Sequence, residues 1–394
     1  MKKLIIIIAA LMVAMPTWAQ LKLTDKEWSK LESAKITDIS WDRALLSYPR
    51  QVGKNSHLDI HGYGPTLTLC TLSAGKYEGL GQINGMNDRR RMAMKASVVG
   101  KSVKDLIDPQ TNIVKKEFRS IDISIYDLIG VILKKPAYKL FGTPASDKVQ
   151  CYSGMVYLDD CEFADAEQGI QRVVDNSVWD YNYGYRQLKI KIGRNWKWMG
   201  KEEGLARDIE ITKRIHAALP DAVLLFDPND AYTIDECIAF LEGIKPIKAY
   251  WMEEAFRENE KDLAALKEYK LKNCPDMFVV DGEANPVESE LMDYAQKGLL
   301  DGFLQDIMGE GFSNWMELLP QITKLGLFAS PHCWGDLTKN IYAAHFAMAF
   351  GHVPTVEGVT CTSHDLDFGG YKIENGYFIP SNKPGFGITW KKRK

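Results

Sequence analysis

The sequence predicts an α/β protein built on a parallel barrel of the (β/α)8 kind, preceded by a smaller α+β lid domain. Three observations carry that prediction. Beyond about residue 150, short β-rich runs alternate with amphipathic helical segments. The runs fall at 187–192, 223–227, 249–254, 277–282, 302–307, 327–331 and 355–360, seven in all, so one unit is modified or hidden. Before residue 150 that beat is absent: residues 36–83 alternate short apolar stretches with Gly, Pro and Asn clusters, and 88–142 turn helical. An open doubly wound sheet is the competing architecture, but no Gly-rich phosphate turn follows a first strand.

Taken in order, residues 1–19 read as a secretory signal peptide. Lys2 and Lys3 precede an apolar run of 12 residues, Leu4 to Met15, and Thr17-Trp18-Ala19 supplies small residues for cleavage before Gln20. As a helix the run spans only about 18 Å of a hydrocarbon core roughly 30 Å thick, too little for an anchor. An exported, periplasmic protein is expected. Residues 20–150 form the lid, with Thr66-Leu67-Thr68-Leu69 as one strand of an antiparallel sheet. The barrel occupies 151–360. Its first clear helix carries Leu205, Ile209, Ile215 and Leu219 at helical spacing and stops at Pro220, and later helices lie around 291–295, 315–322 and 341–350. Residues 361–394 are expected to return to the lid.

Composition removes several function classes. A net charge of −3 with no long basic block disfavours nucleic acid and anionic membrane as partners. Arg89-Arg90-Arg91, the densest cationic run, reads as a solvated helix face. Seven cysteines, none in a CxxC pair, are too scattered for a disulfide framework or a zinc ribbon. Gly100-Lys101-Ser102 resembles the end of a phosphate loop, but Lys95 stands where the first glycine belongs. His57 and His61 lie four apart with no helix or glutamate partner, which does not make a zinc site.

In a parallel barrel the active site is built at the C-terminal ends of the strands. Here the strand ends carry Asp227, the pair Glu253-Glu254, Glu283, Asp306 and His332 in series. The steps from Asp227 to Glu253, Glu283, Asp306 and His332 are 26, 30, 23 and 26 residues, each about one βα unit. Asp227, Glu253 and Glu283 would meet at one mouth. Two like charges 4 Å apart repel by about 4 kcal/mol even at an effective dielectric of 20, so three carboxylates call for a cation. All-oxygen ligation suits Mg²⁺, with Mn²⁺ as the nearest substitute. Spacing does not say which glutamate of the pair ligates.

Strand alternation puts Lys189 and Lys191 on one face and Leu188, Ile190 and Ile192 on the other. With the apolar face against helices, both ammonium groups point into the barrel. A lysine at its ordinary pKa of about 10.4 needs about 4.6 kcal/mol to act as a free base at neutrality. A like charge two residues away and a nearby cation lower that cost, so the pair reads as a base and a group that tunes it.

These residues resemble the ordered signature of the mandelate racemase subgroup of the enolase superfamily. The matching segments are Lys189-Ile190-Lys191, Asp227-Pro228-Asn229, Trp251-Met252-Glu253-Glu254, Asp281-Gly282-Glu283, Gln305-Asp306-Ile307 and Ser330-Pro331-His332. In the lid half, residues 121–130 and 135–142 match the family's helical segment, and Pro384-Gly385-Phe386-Gly387 matches near the end. The resemblance implies a capping α+β domain over a modified (β/α)7β barrel. It implies Asp227, Glu253 and Glu283 as Mg²⁺ ligands, Lys191 as base on one face of a carboxylate substrate, and Lys189 beside it on the carboxylate. It further implies His332, oriented by Asp306, as acid or base on the opposite face, and Glu357 as the acid that hydrogen-bonds the enediolate. A homo-oligomer is expected.

Proton-transfer groups on both faces allow either elimination or inversion, and the resemblance, to a subgroup whose commoner substrates are sugar acids, makes dehydration of an acid sugar to a 2-keto-3-deoxy acid the leading expectation. Racemisation or epimerisation of a 2-hydroxy acid is the alternative. A non-catalytic exported carboxylate-binding protein is a third reading, though every expected ligand and base is present. The muconate-lactonising type would want a lysine where Gln305-Asp306 stands. The resemblance implies that substrate choice falls to lid loops within 44–62 and 81–91, where Tyr48, Arg50, His57 and His61 are candidates, each read first as structural or solvated.

Overall fold

The computed structural model describes residues 19–309 and 311–391. Apart from Ala19, residues 1–19, expected to be a signal peptide, lie outside the described residues. The cap opens with α1 (Asp25–Ser33), started by a capping box in which Thr24 and Glu27 satisfy each other's backbone N–H groups. An antiparallel meander follows: β1 (Asp38–Ser47), β2 (Thr66–Ala74) and β3 (Tyr77–Gln82). Then come α2 (Asp88–Val98) and α3 (Asp122–Leu133). The two helices differ in kind. Only Val98 of α2 is buried, whereas α3, apolar on almost every side, is buried along its length except at Val131.

The barrel is a closed ring of parallel strands. It runs β4 (Val149–Val156), α4 (Ala166–Tyr183), β5 (Gln187–Lys191), α5 (Lys201–Ala218), β6 (Val223–Asp227), α6 (Ile234–Gly243), β7 (Ala249–Glu253) and α7 (Glu260–Asn273). It continues with β8 (Phe278–Asp281), α8 (Glu288–Gln296), β9 (Gly302–Phe303), α9 (Phe312–Lys324), β10 (Phe328–Ala329), α10 (Leu337–Phe350) and β11 (Val356–Gly358). Neighbours pair in parallel from β4 through β10, and β11 pairs with β4. The seam between β10 and β11 is held by Ala329 N to His352 O (2.9 Å) and Ser330 Oγ to Thr355 O (2.8 Å). Seven βα units and a last strand make this the (β/α)7β form. The hidden strand is the first: β4 begins at Val149 and carries Ser153 and Gly154 in its middle, so no apolar run announces it.

Two strand expectations need correcting. The runs at 302–307 and 327–331 shorten to two ladder residues each, and pairing resumes only as the single bridge Asp306–His332. The last rungs are Leu304 N to Asp281 O and Ser330 N to Phe303 O, both 2.9 Å. The bridge sets the two polar side chains beside each other.

The tail forms β12 (Thr362–Ser363), β13 (Leu366–Asp367), the hairpin β14 (Lys372–Glu374) with β15 (Tyr377–Ile379), and β16 (Thr389–Trp390). It binds both domains. β12 adds antiparallel to β1 as the fourth strand of the cap sheet, and β15 pairs with the start of β4. Farther on, the Asp127 carboxylate of α3 accepts from Leu80 N on β3 (2.8 Å) and Phe386 N in the tail (2.6 Å). Gly130 and Gly385 let helix and tail touch: a Cβ on Gly130 would stand 2.6 Å from Gly385 Cα. All seven cysteines are free. Among the described residues no helix is long and apolar enough to cross a membrane.

Candidate active site

Side chains two apart on a strand share a face, and the barrel uses this to stack a polar layer on an apolar floor. Tyr152, Leu225, Trp251, Val280 and Leu304 pack together as the floor. Two residues above Leu225 stands Asp227, and two above Trp251 stands Glu253. From β5, Lys189 and Lys191 point the same way, with the Lys189 ammonium 5.5 Å from the Tyr152 ring centre and that of Lys191 5.7 Å from Tyr157. Both lysines are buried, and so are Asp227, Glu253 and Glu357.

Carboxylate oxygens of Asp227, Glu253 and Glu283 all lie within 4.8 Å of one another. Lys189 Nζ sits 2.9 Å from Glu253 Oε1, 3.0 Å from Glu357 Oε1 and 3.4 Å from Asp227 Oδ2. Lys191 Nζ bonds Asp227 Oδ2 and donates to Asn229 Oδ1 at 2.9 Å. On the other flank, His332 Nε2 is 3.2 Å from Glu283 Oε2 and 3.6 Å from Glu357 Oε2, and its Nδ1 is 3.2 Å from Asp306 Oδ2. Asp306 is held in turn by Lys339 Nζ at 3.3 Å, and Glu357 by the Cys333 N–H at 3.2 Å.

The adjacent glutamates are separated by the backbone. Glu254 takes a left-handed conformation, φ 41°, which turns its side chain out of the cluster. It accepts from Ala284 N at 2.6 Å and from Asn229 Nδ2 at 3.4 Å. Glu253 stays inside, and its Oε2 is buried with no hydrogen-bond partner among the described residues. An orphaned carboxylate oxygen within a three-carboxylate group is what a hard divalent cation requires. The donor set therefore fits Mg²⁺, with Glu253 rather than Glu254 as the middle ligand.

Electrostatics assign the resting states. Burial pushes the Lys189 ammonium down, but Glu253, Glu357 and Asp227 hold it well above the usual lysine value. Burial and Lys189 also push Lys191 down, and Asp227, Glu283 and Glu253 together outweigh them, so its pKa is raised rather than lowered by this neighbourhood. The tuning expected of Lys189 is present in sign and overridden in sum. Burial lowers His332, yet Glu283, Asp306 and Glu357 together lift it to about 9. Asp306 is held below the ordinary carboxylate range, against burial, by His332 and Lys339.

Of the lid candidates, Tyr48 donates to Gly335 O (2.6 Å), and Arg50 forks onto Asp180 (2.7 and 2.8 Å) and reaches Met155 O (3.1 Å). Both tie the lid loop to the barrel. His57 Nε2 donates to Asn229 O at 2.5 Å. His61 packs edge-on against the rings of Tyr157 and Trp334, which also touch each other. Sequence reasoning passed over four contributors: Asn229, Tyr157, Lys339 and Gly154. Asn229 was legible in its motif as the residue two beyond Asp227. Gly154 left no signal, although a Cβ there would collide with the Glu357 carboxylate. A cleft of about 980 Å³ between α2 and residues 117–122 holds none of the charged site groups.

Comparison with protein families matches residues 174–394 to the Enolase C-terminal domain-like family. The chain belongs to the enolase superfamily, in its mandelate racemase and muconate lactonizing branch. It resembles the arabinonate dehydratase of Saccharolobus solfataricus, 24% identical over 275 residues, 68% of each chain. Among solved structures it resembles a galacturonate dehydratase from Geobacillus sp. complexed with Mg, with a TM-score of 0.87, 28% identity and coverage of 94% of this chain and 95% of that one. A second structure of that dehydratase holds D-galacturonate and 5-keto-4-deoxy-D-galacturonate. A mandelate racemase/muconate lactonizing protein from Geobacillus sp. Y412MC10, complexed with magnesium/tartrate, gives a TM-score of 0.86 at 29% identity, over 91% of this chain and 94% of that one. As a member of this superfamily the chain is an enzyme of the lyase or racemase kind.

Proposed function

We propose that this enolase-superfamily member dehydrates an acid sugar, with Mg²⁺ held by Asp227, Glu253 and Glu283. The observation that carries the reading is the pair of proton-transfer groups flanking the three carboxylates, Lys191 on the Asp227 side and His332 on the Glu283 side. Mg²⁺, when bound, supplies a Lewis acid for the substrate carboxylate. Lys189, kept as an ammonium between Glu253 and Glu357, stands where negative charge grows as the α-proton leaves. Lys191 takes that proton. An Asp227 oxygen engaged elsewhere no longer stabilises the Lys191 ammonium, so burial and the Lys189 charge then favour the neutral amine.

As the α C–H pair becomes a C=C bond, the β C–O bond breaks with its pair on oxygen. His332 gives its proton to that oxygen, and water leaves. The enol then becomes the 2-keto-3-deoxy acid. Asp306 fixes the His332 ring so that Nε2 faces the reacting carbon and Nδ1 is occupied. A uronate fits the same chemistry from its other end, where the carboxylate-bearing carbon takes the place of C1. That is the relation between D-galacturonate and 5-keto-4-deoxy-D-galacturonate in the Geobacillus relative. The leader at residues 1–19 supports a site of action outside the cytoplasm.

Racemisation or epimerisation is the second reading, because two flanking bases are also what inversion needs. Incubation with Mg²⁺ in D₂O, across aldonates, aldarates, uronates and simple 2-hydroxy acids, separates the two. Keto-acid formation abolished by EDTA, by Lys191→Ala and by His332→Ala is the expected result. α-Deuterium exchange or inversion without keto acid would move the assignment to racemase or epimerase, and silence across the library would return it to a carboxylate-binding protein.

A further inference from the structure

The loop joining β1 and β2 crosses the barrel mouth and is pinned there. Ser56 Oγ donates to Pro228 O (2.5 Å), His57 Nε2 to Asn229 O (2.5 Å), Trp198 Nε1 to Asn55 O (2.7 Å) and Lys197 Nζ to His57 O (3.0 Å). The loop also closes on itself through the bridge Val52–Gly62, and His61 N donates to Val52 O at 3.0 Å. Within this fixed frame the His61 ring has one orientation. It lies edge-to-face on Tyr157 at 4.8 Å and 66°, and on Trp334 at 4.8 Å and 71°. Trp334 is itself anchored by Nε1–H to Gly154 O at 2.8 Å.

Those two rings locate His61 relative to the chemistry. Tyr157 is the ring beside the Lys191 ammonium, and Trp334 is two residues past His332. Tyr157 and Trp334 also touch each other, with centres 5.2 Å apart, so His61 belongs to a three-ring cluster that abuts the Lys191 ammonium.

The tautomer follows from one bond. His61 Nδ1 is 2.7 Å from Gly53 O, and a carbonyl only accepts, so Nδ1 carries the proton. Nε2 is then a lone-pair acceptor, and no hydrogen bond to it is made by the described residues. Burial first, with the Lys191 charge helping, lowers the pKa against the Gly53 bond and keeps the ring neutral. A neutral acceptor over a carboxylate-binding mouth lined by ammonium donors suits a ligand that brings hydroxyl donors.

We propose that His61 Nε2 accepts a hydrogen bond from a substrate hydroxyl beyond the reacting α and β carbons, and so selects polyhydroxylated acids over short hydroxy acids. The proposal rests on the reading of the site as one that processes hydroxy acids. Two amide substitutions separate the halves of the imidazole. An asparagine amide reaches the Nδ1 position and can keep the Gly53 bond while losing the Nε2 acceptor. A glutamine amide reaches the Nε2 position and loses the Gly53 bond.

The experiment measures kcat/KM for the best acid sugar of the library, for its analogue lacking a hydroxyl beyond the β carbon, and for D-glycerate, in wild type, His61→Asn and His61→Gln. Loss of one neutral hydrogen bond to substrate is read as roughly a tenfold fall. His61→Asn should lose about tenfold on the full acid and little on the deoxy analogue or glycerate, while His61→Gln keeps the discrimination. Equal losses on all three substrates, or a larger loss in His61→Gln than in His61→Asn, would mean that the ring only packs the lid, and would overturn the proposal. A wild-type enzyme that neither turns over nor exchanges any acid in the library overturns the functional reading and this one with it. Turnover by wild type with unchanged ratios in His61→Asn overturns this one alone.

Discussion

Glu253 and Glu254 are neighbours in sequence and opposites in structure, and replacing each by glutamine tests the metal assignment directly. In metal-free protein, Glu253 is drawn to Lys189 at 2.9 Å, an attraction of about 6 kcal/mol at an effective dielectric of 20. Asp227 and Glu283, with oxygens within 4.8 Å, each oppose it by about 3 kcal/mol or more. Burial adds to that opposition and pushes the Glu253 carboxyl well above its ordinary range, so Glu253→Gln should leave the stability of the metal-free protein within about 2 kcal/mol of wild type. What it should remove is the response to the ion. Mg²⁺ at a hundred times its Kd stabilises a protein that binds it only when folded by about 2.7 kcal/mol. Urea unfolding in EDTA and in a Mg²⁺ series should show that gain in wild type and in Glu254→Gln, and not in Glu253→Gln. Glu254→Gln is mild because burial, with Glu283 and Asp227, pushes that carboxyl up to about 8, so it is largely protonated at neutral pH already. A normal Mg²⁺ response in Glu253→Gln together with its loss in Glu254→Gln would refute the assignment.

Three further outcomes are expected. Asp306→Asn should lower kcat by about 10²- to 10⁴-fold by freeing the His332 tautomer, while the Mg²⁺-dependent rise in stability persists; an unchanged kcat would mean that Asp306 does not orient the ring. Asp127→Asn should cost about 1–3 kcal/mol in urea unfolding, since an amide presents a donor to either Leu80 N or Phe386 N; a smaller loss would show that the bonds are dispensable. His345 is fully buried, its pKa pushed down to about 3 by burial, and its Nδ1 accepts from Tyr138 N. A depressed folded-state pKa stabilises above the unfolded value of about 6.5 and is lost as pH falls toward 3, so wild type should lose about 3 kcal/mol more than His345→Gln between pH 7 and pH 4.5. Parallel pH dependence of the two melting curves would contradict this.

The site was legible in the sequence because β5 to β10 each deliver a charged or imidazole side chain at or just beyond the strand end, and a period of one βα unit survives without coordinates. Glu253 and Glu254 could not be told apart, since the left-handed turn at Glu254 that separates them is a backbone choice with no glycine to mark it. The first strand escaped notice for a related reason. β4 lines the mouth, and its Gly154 must be small to admit Glu357 from a segment some 200 residues on. The raised pKa of Lys191 was unreadable because it depends on how closely Asp227, Glu283 and Glu253 gather around the ammonium in the fold, which strand alternation does not fix.

The cap sheet has a timing built into it. Its first strand, β1, is bordered by β12, and the pairing of Leu46 with Ser363 joins residues more than 300 positions apart. A chain leaving the ribosome has made the whole barrel before that edge can be covered, and the Asp127 clasp waits longer still, for Phe386. Until then the edge of β1 stays open to pairing with another chain, which is the hazard of long-range β topology. The same delay leaves the nascent cap sheet without its fourth strand until the last stretch of synthesis. Truncation inside the last 35 residues should therefore act on the lid over the active site, far along the chain from the cut, before it disturbs the ring of strands beneath.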